Sequence, residues 1–99
     1  MDAIISQAAA VTAPAVTLED AAGGWSDLSS TTEVTRYVFP ANLCGLPAIS
    51  FPAGYDSLGL PIGMQAMGRW WEEDLLMRIA FNAEKVVECR KPVVHYSLL

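Results

Sequence analysis

Few residues in this chain of 99 could do chemistry. Cys44 and His95 are, by type, a nucleophile and a base. Nothing in the sequence orients His95, and Cys44 closes an apolar helical stretch, so the reading is a packed thiol and a surface histidine. Glu72, Glu73 and Asp74 are hard oxygen donors of the kind that hold a divalent cation. They also open a predicted helix, where acids offset the helix dipole, and that role accounts for them without a metal. Trp70 and Trp71 are stacking platforms by type. Gln65 is a lone polar residue in an apolar strand and needs a buried hydrogen-bond partner, which favours a structural over a catalytic role. From the residues alone, no catalytic residue is assigned.

The totals narrow the classes further. Six Lys and Arg against eleven Asp and Glu give a net charge of −5. The basic residues are scattered, which argues against nucleic acid and anionic membranes. The apolar share is 53%. A single short domain buries only about 60–68% of its unfolded surface, so that share implies either a dense core or apolar surface meant for other chain. Cys44 and Cys89 lack a CxxC spacing, so zinc is not indicated, and two reduced, buried thiols are expected rather than a disulfide. No run approaches the roughly 20 apolar residues of a membrane span. The opening "MDAIISQAAAVTAPAV" is mildly signal-like, but Asp2 stands where a basic n-region belongs. It is read as a strand, and an intracellular location is favoured.

These residues sit on a short series of elements. "DAIIS" (2–6) reads as a buried strand and 13–30 as a loop rich in Pro, Gly, Ser and Asp. Ser30 and Glu33 have capping-box spacing, which starts a helix there, with Val34, Tyr37, Val38 and Ala41 on one face. Pro40 predicts a kink in it and Gly45 its end. Residues 47–54 and 61–68 read as an antiparallel hairpin around "YDSLGL" with both faces covered, Pro52 suiting a strand edge or end. "EEDLLMRIAFNAEKVVE" is an amphipathic helix with acids at its start and Lys85, Arg90 and Lys91 at or beyond its end. The chain has the length of one domain, 1–99, with loop 13–30, helix–hairpin–helix 31–89 and an extended tail 90–99.

The run "TRYVFPANLCGLPAISFPAGYDSLGLPIGMQAMGRWWEEDLLMRIAFNAEKVVE" closely resembles the C-terminal region of amidase signature enzymes. Their pattern there is "AANL-GLPAIS-P-G", a turn, then "GLPIGLQ--GR-W-E--LL" and a closing helix. "DAIISQAAAVTAPAV" looks like the family's "D-I-TPT---TAP-I", and "KPVVHYSLL" is similar to the tail of plant-type fatty acid amide hydrolases.

The resemblance implies an α/β fold: a C-terminal fragment of the amidase fold, with a strand, a helix, an antiparallel hairpin and a C-terminal helix packed on a mixed sheet. It implies a parent that hydrolyses acyl or lipid amides with a Ser-Ser-Lys machinery and no metal or organic cofactor. That parent is compatible with membrane association. "GGWSDLSS" imitates the family's Gly-Ser motif, but it lies in a segment that is variable in the family, and no lysine precedes it. The chain is therefore expected to supply core and channel wall without catalysing alone. Its expected partners are the remainder of an amidase chain or a full-length amidase, with self-association through exposed apolar surface. The resemblance places Thr31 and Thr32 near a substrate's polar head, against a simpler helix-capping role, and makes Trp71 structural at a strand-to-helix corner. Departures are "SQA" (6–8) for "TPT", Pro40 in the helix, and Trp70 for the proline of "GRPW". Two rival readings remain open: a truncated binding or regulatory module, and a relative of the glutamyl-tRNA amidotransferase A subunit.

Overall fold

A computed structural model describes residues 1–24, 26–88 and 90. The elements in order are β1 (Ala3–Gln7), α1 (Leu18–Gly23), α2 (Leu28–Thr35), α3 (Phe39–Cys44), β2 (Ala48–Tyr55), β3 (Pro61–Gly68) and α4 (Glu73–Glu84). The result is mixed α/β, consistent with a fragment of the amidase fold.

β3 is the centre. The three strands run in the order β1-β3-β2 with both pairings antiparallel. Directly paired residues share a face. Ile5, Ala66 and Ile49 therefore lie on one face, and Ile4, Met67 and Ala48 on the other. α4 packs over β2 and β3. On it Leu76 is 2% exposed, and a Cβ at Gly68 would stand only 3.0 Å from Leu76 Cδ2. Glycine at 68 is what lets helix and strand approach so closely. The α2–α3 turn is tied to the same strand, its Tyr37 carbonyl accepting a hydrogen bond from Gln65 Nε2 at 2.7 Å.

The helical region departs from the expected single kinked helix. Pro40 cannot donate a backbone N–H, so the chain breaks at 36–38 and restarts with Pro40 in the first turn of α3, where that N–H is not needed. α3 stops at Gly45 (φ 63°), a left-handed conformation suited to glycine. α2 begins three residues before the expected start. Asp27, not Ser30, is its N-cap, accepting the amides of Ser29 and Ser30. The loop expected over 13–30 contains α1, whose own capping box joins Thr17 and Asp20.

The hairpin forms where expected. Pro52 lies mid-strand, tolerated because β2 is an edge and a bulge follows between Pro52 and Gly54. β1 is not buried as expected: Ile4 and Ile5 are each nearly half exposed. Cys44 is also exposed, against the expected packed thiol, because it is the last residue of a short helix whose buried position is Ala41. α4 carries Glu73 and Asp74 in its first turn but no basic residue in its last, with Lys85 following as the C-cap. Cys89, His95 and the tail from Lys91 lie outside the described residues. Among the described residues, no helix is long and apolar enough to cross a membrane.

Candidate functional site

Where β1 ends, the chain turns across β3 and builds a concave surface. A cavity of about 560 Å³ lies between residues 8–14, Val34 of α2 and Pro61–Gly63 of β3. The strand end is anchored by the Ala8 amide, which donates to the Gly63 carbonyl at 3.0 Å. Ala8 Cβ would lie 3.2 Å from a Cβ at Gly63, so this approach also needs glycine on β3. Further along, the Ala10 amide donates to the Glu33 carbonyl at 3.2 Å, tying the segment to α2.

The lining is apolar, with Gln7 and Thr12 as its polar side chains. Val11, Val34 and Ile62 are each close to 40% exposed. An apolar concave surface of this kind suits an apolar chain.

Thr31 and Thr32 lie one turn N-terminal to Val34 on α2, and both are exposed. Neither caps the helix, contrary to the simpler expectation. Their hydroxyls donate back along α2 at 2.8 Å, Thr31 to the Asp27 carbonyl and Thr32 to the Leu28 carbonyl. Helical spacing separates them. Thr31 is three residues before Val34 and shares its stripe, whereas Thr32 is two before it and points elsewhere. From α2 the cavity takes Val34, and neither threonine lines it.

The serine cluster is structural. The Ser30 hydroxyl donates to the Asp27 carboxylate. That bond, followed by the amides of Ser30 and Ser29, holds the Asp27 carboxyl below its ordinary 3.8. Lys85 is engaged elsewhere, its ammonium 4.0 Å over the Phe81 ring.

Gln65 meets the expectation of a buried partner. It is 6% exposed and donates to the Tyr37 carbonyl at 2.7 Å and the Ser6 hydroxyl at 3.0 Å. Trp71 stands at the expected corner between β3 and α4 but is 91% exposed, with φ 67°. Trp70 is the one anchored, its indole N–H donating to the Gly45 carbonyl at 2.8 Å. Among the described residues, no group of three or more His, Cys, Asp or Glu is placed to hold a metal ion. Glu72 and Asp74 instead face Arg69 and Arg78, at 3.6 and 3.3 Å.

Sequence reasoning passed over Asp56. Its Oδ1 accepts the amides of Leu58 (2.9 Å) and Leu60 (2.8 Å), closing the β2–β3 turn. The Leu60 amide is the main reason its carboxyl lies below the ordinary 3.8, with the Leu58 amide adding to it. An Asp two residues before a turn amide is a readable signal for an Asx-turn.

The family model described as Amidase matches residues 1–77. The fatty acid amide hydrolase of Medicago truncatula is 43% identical over 101 residues, covering all of this chain and 17% of the relative. That of Arabidopsis thaliana is 39% identical over 100 residues, again covering the whole chain and 16% of the relative. That of Oryza sativa subsp. japonica is 38% identical over 101 residues, covering the whole chain and 17% of the relative. The chain thus spans 17% or less of the length of these relatives. Glutamyl-tRNA(Gln) amidotransferase sequences match a shorter stretch, the one from Prochlorococcus marinus (strain NATL2A) being 54% identical over 52 residues, or 52% of this chain and 11% of the relative.

Proposed function

The chain belongs to the amidase family, and we propose that it is the C-terminal portion of an amide-bond hydrolase that acts on acyl or lipid amides. Water cleaves the C–N bond of such a substrate to give an acid and an amine. This portion supplies part of the core and one wall of the acyl channel, while the reacting groups come from other chain. The observation that carries the reading is the apolar cavity walled by residues 8–14 and β3, which offers an acyl chain a surface and no reacting group. Thr31, three residues before the cavity-lining Val34 on α2, is the better candidate of the two threonines for contact with the substrate's polar head. Similarity to fatty acid amide hydrolases along the whole chain supports the lipid-amide branch, whereas similarity to the amidotransferase covers about half of it.

Native polypeptide size tests this first, by immunoblot of source tissue with an antibody to "CRKPVVHYSLL". A band several times larger than 10.7 kDa is expected. The purified 99-residue chain should not hydrolyse an acyl amide. Hydrolysis that is lost on substitution of Ser29 or Ser30 would overturn the reading.

A second reading has its own support. Met77 and Phe81 on α4 are each more than 60% exposed, and β1 leaves Ile4 and Ile5 partly uncovered. A free-standing module that docks onto a full-length amidase would use such surface. A native band near 10.7 kDa would favour it.

A further inference from the structure

Among the described residues, β2 has a neighbour on one side only, β3. The Gly68 amide donates to the Pro47 carbonyl at 3.0 Å. By the alternation of an antiparallel pair, Pro47, Ile49 and Phe51 turn their backbone groups toward β3. The Gly63 carbonyl accepts from Ala8 on the β1 side, as the same alternation requires. Ala48, Ser50 and Pro52 therefore turn their backbone groups outward, and Pro52, which has no N–H, stands where β3 needs none. The side chains along this edge are apolar. Gly68 sits against Leu76 of α4, so Ala66 and Met64 share the helix-facing side of β3, and so do their partners Ile49 and Phe51. A cavity of about 560 Å³ lies between those two and Met77 and Phe81 of α4. It shares Pro52 and Phe81 with a second cavity, of about 310 Å³, that reaches Tyr55. The two form one trough along β2.

The chain after α4 comes back to the end of this trough. The Arg90 amide donates to the Tyr55 hydroxyl at 2.7 Å, and the Arg90 guanidinium lies 4.9 Å over the Tyr55 ring. Residues 91–99, "KPVVHYSLL", follow. At about 3.3 Å per extended residue they reach about 30 Å, more than the length of the eight-residue β2. Val93, Val94 and Tyr96 favour extended backbone, and Val94, Tyr96 and Leu98 recur at the period of a strand face. Arg90 stands at the C-terminal end of β2, so a segment that starts there and follows the edge runs antiparallel to it. We propose that residues 93–98 dock on the free edge of β2 as a fourth strand, with Val94, Tyr96 and Leu98 seated in the trough against Met77 and Phe81. The outward groups of Ala48 and Ser50 then gain partners, and an edge open to foreign strands is closed by the chain itself. Tethering at Tyr55 gives this segment a high effective concentration against any free competitor.

Photocrosslinking in the native polypeptide is the first test. p-Benzoylphenylalanine in place of Tyr96 keeps an aromatic ring there and, on irradiation, should bond to Phe51, Met77 or Phe81 of the same molecule, read by mass spectrometry of the digest. In place of His95, on the opposite face of the strand, it should not reach Met77. Crosslinks from position 96 that avoid the trough would overturn the proposal. So would crosslinks to another molecule, which would make a second copy or a different partner the occupant. Amide hydrogen exchange by NMR on the 99-residue chain is the second test. Ala48 and Ser50 should exchange as slowly as Ile49 and Phe51. Val94→Lys combined with Tyr96→Lys should speed exchange at Ala48 and Ser50 by about tenfold, the upper range of one neutral hydrogen bond, while Ile49 and Phe51 hold. Fast exchange at Ala48 and Ser50 in the unsubstituted chain, beside slow exchange at Ile49 and Phe51, would sink the idea. Neither readout uses a substrate, so the result is independent of the acyl-channel reading.

Discussion

β3 has two halves that behave differently. From Gln65 to Gly68 every residue is buried, Ala66 at 0% exposure, with Leu76 seated against Gly68. From Pro61 to Met64 the same strand is exposed or half-buried, and its first three residues wall a cavity. Composition does not separate the halves, since both are largely apolar. What differs is supply: α4 and the Tyr37 turn cover one half within this chain, and residues 8–14 only partly cover the other. A strand can thus be core at one end and binding surface at the other, according to which of its neighbours the chain itself provides.

The comparison breaks most sharply at Leu76. Leu76→Ala should cost about 2–5 kcal/mol, while Ile62→Ala, at a site 38% exposed, should cost less than about 1 kcal/mol. Urea denaturation followed by circular dichroism, at concentrations where the chain is monomeric, measures both. Equal costs would erase the distinction between the halves. Next is Gln65→Leu, which leaves the Tyr37 carbonyl and the Ser6 hydroxyl without their donor and should cost about 1–3 kcal/mol. A neutral result would mean that the Tyr37 turn does not depend on β3.

A smaller effect of opposite sign is expected at the corner that follows the buried half. Trp71 has φ 67°, uncommon for a bulky side chain, in a turn closed by the Glu72 amide on the Arg69 carbonyl. Trp71→Gly should stabilise the isolated chain by up to about 1 kcal/mol, the relief of strain less the added freedom of the unfolded chain. Loss of stability in the same assay would show that the indole packs on something here.

The shallowest effect is with pH, and it sharpens the cavity half. Asp27 and Asp56 both have carboxyls held below 3.8 in the folded chain. Their stabilisation is therefore complete above that value and fades as pH falls through their lower folded values. Denaturation midpoints should hold between about pH 7 and 5 and then decline, with Asp27→Asn removing part of the decline. A midpoint that rose on acidification would contradict the assignment. Solvent contact at both carboxylates keeps the slope small.

Much of the fold was legible because it rests on local rules. Gly45 marks a helix end, the Asp- and Gly-containing turn marks the hairpin, and the 3-to-4 spacing of Leu75, Leu76, Ile79 and Ala83 marks α4. The misreadings came where two local rules competed. Ser30 with Glu33 and Asp27 with Ser30 are both capping spacings. The N-terminal one won because Leu28 and Ser29 extend the helix at little cost and the aspartate satisfies two amides at once. The Thr17–Asp20 box has the same form and was hidden by the turn-forming residues around it.

By itself, the sequence determined the order and type of the main elements, the need for a partner at Gln65, and the family. Each follows from short-range spacing or from an ordered series of residues. Only the tertiary structure decided which partner Gln65 takes, that Trp70 rather than Trp71 is anchored, and that residues 8–14 and β3 enclose a cavity beside Val34. The reason is distance along the chain. Burial and long-range hydrogen bonds depend on where an element tens of residues away comes to rest, a position that local propensity does not encode.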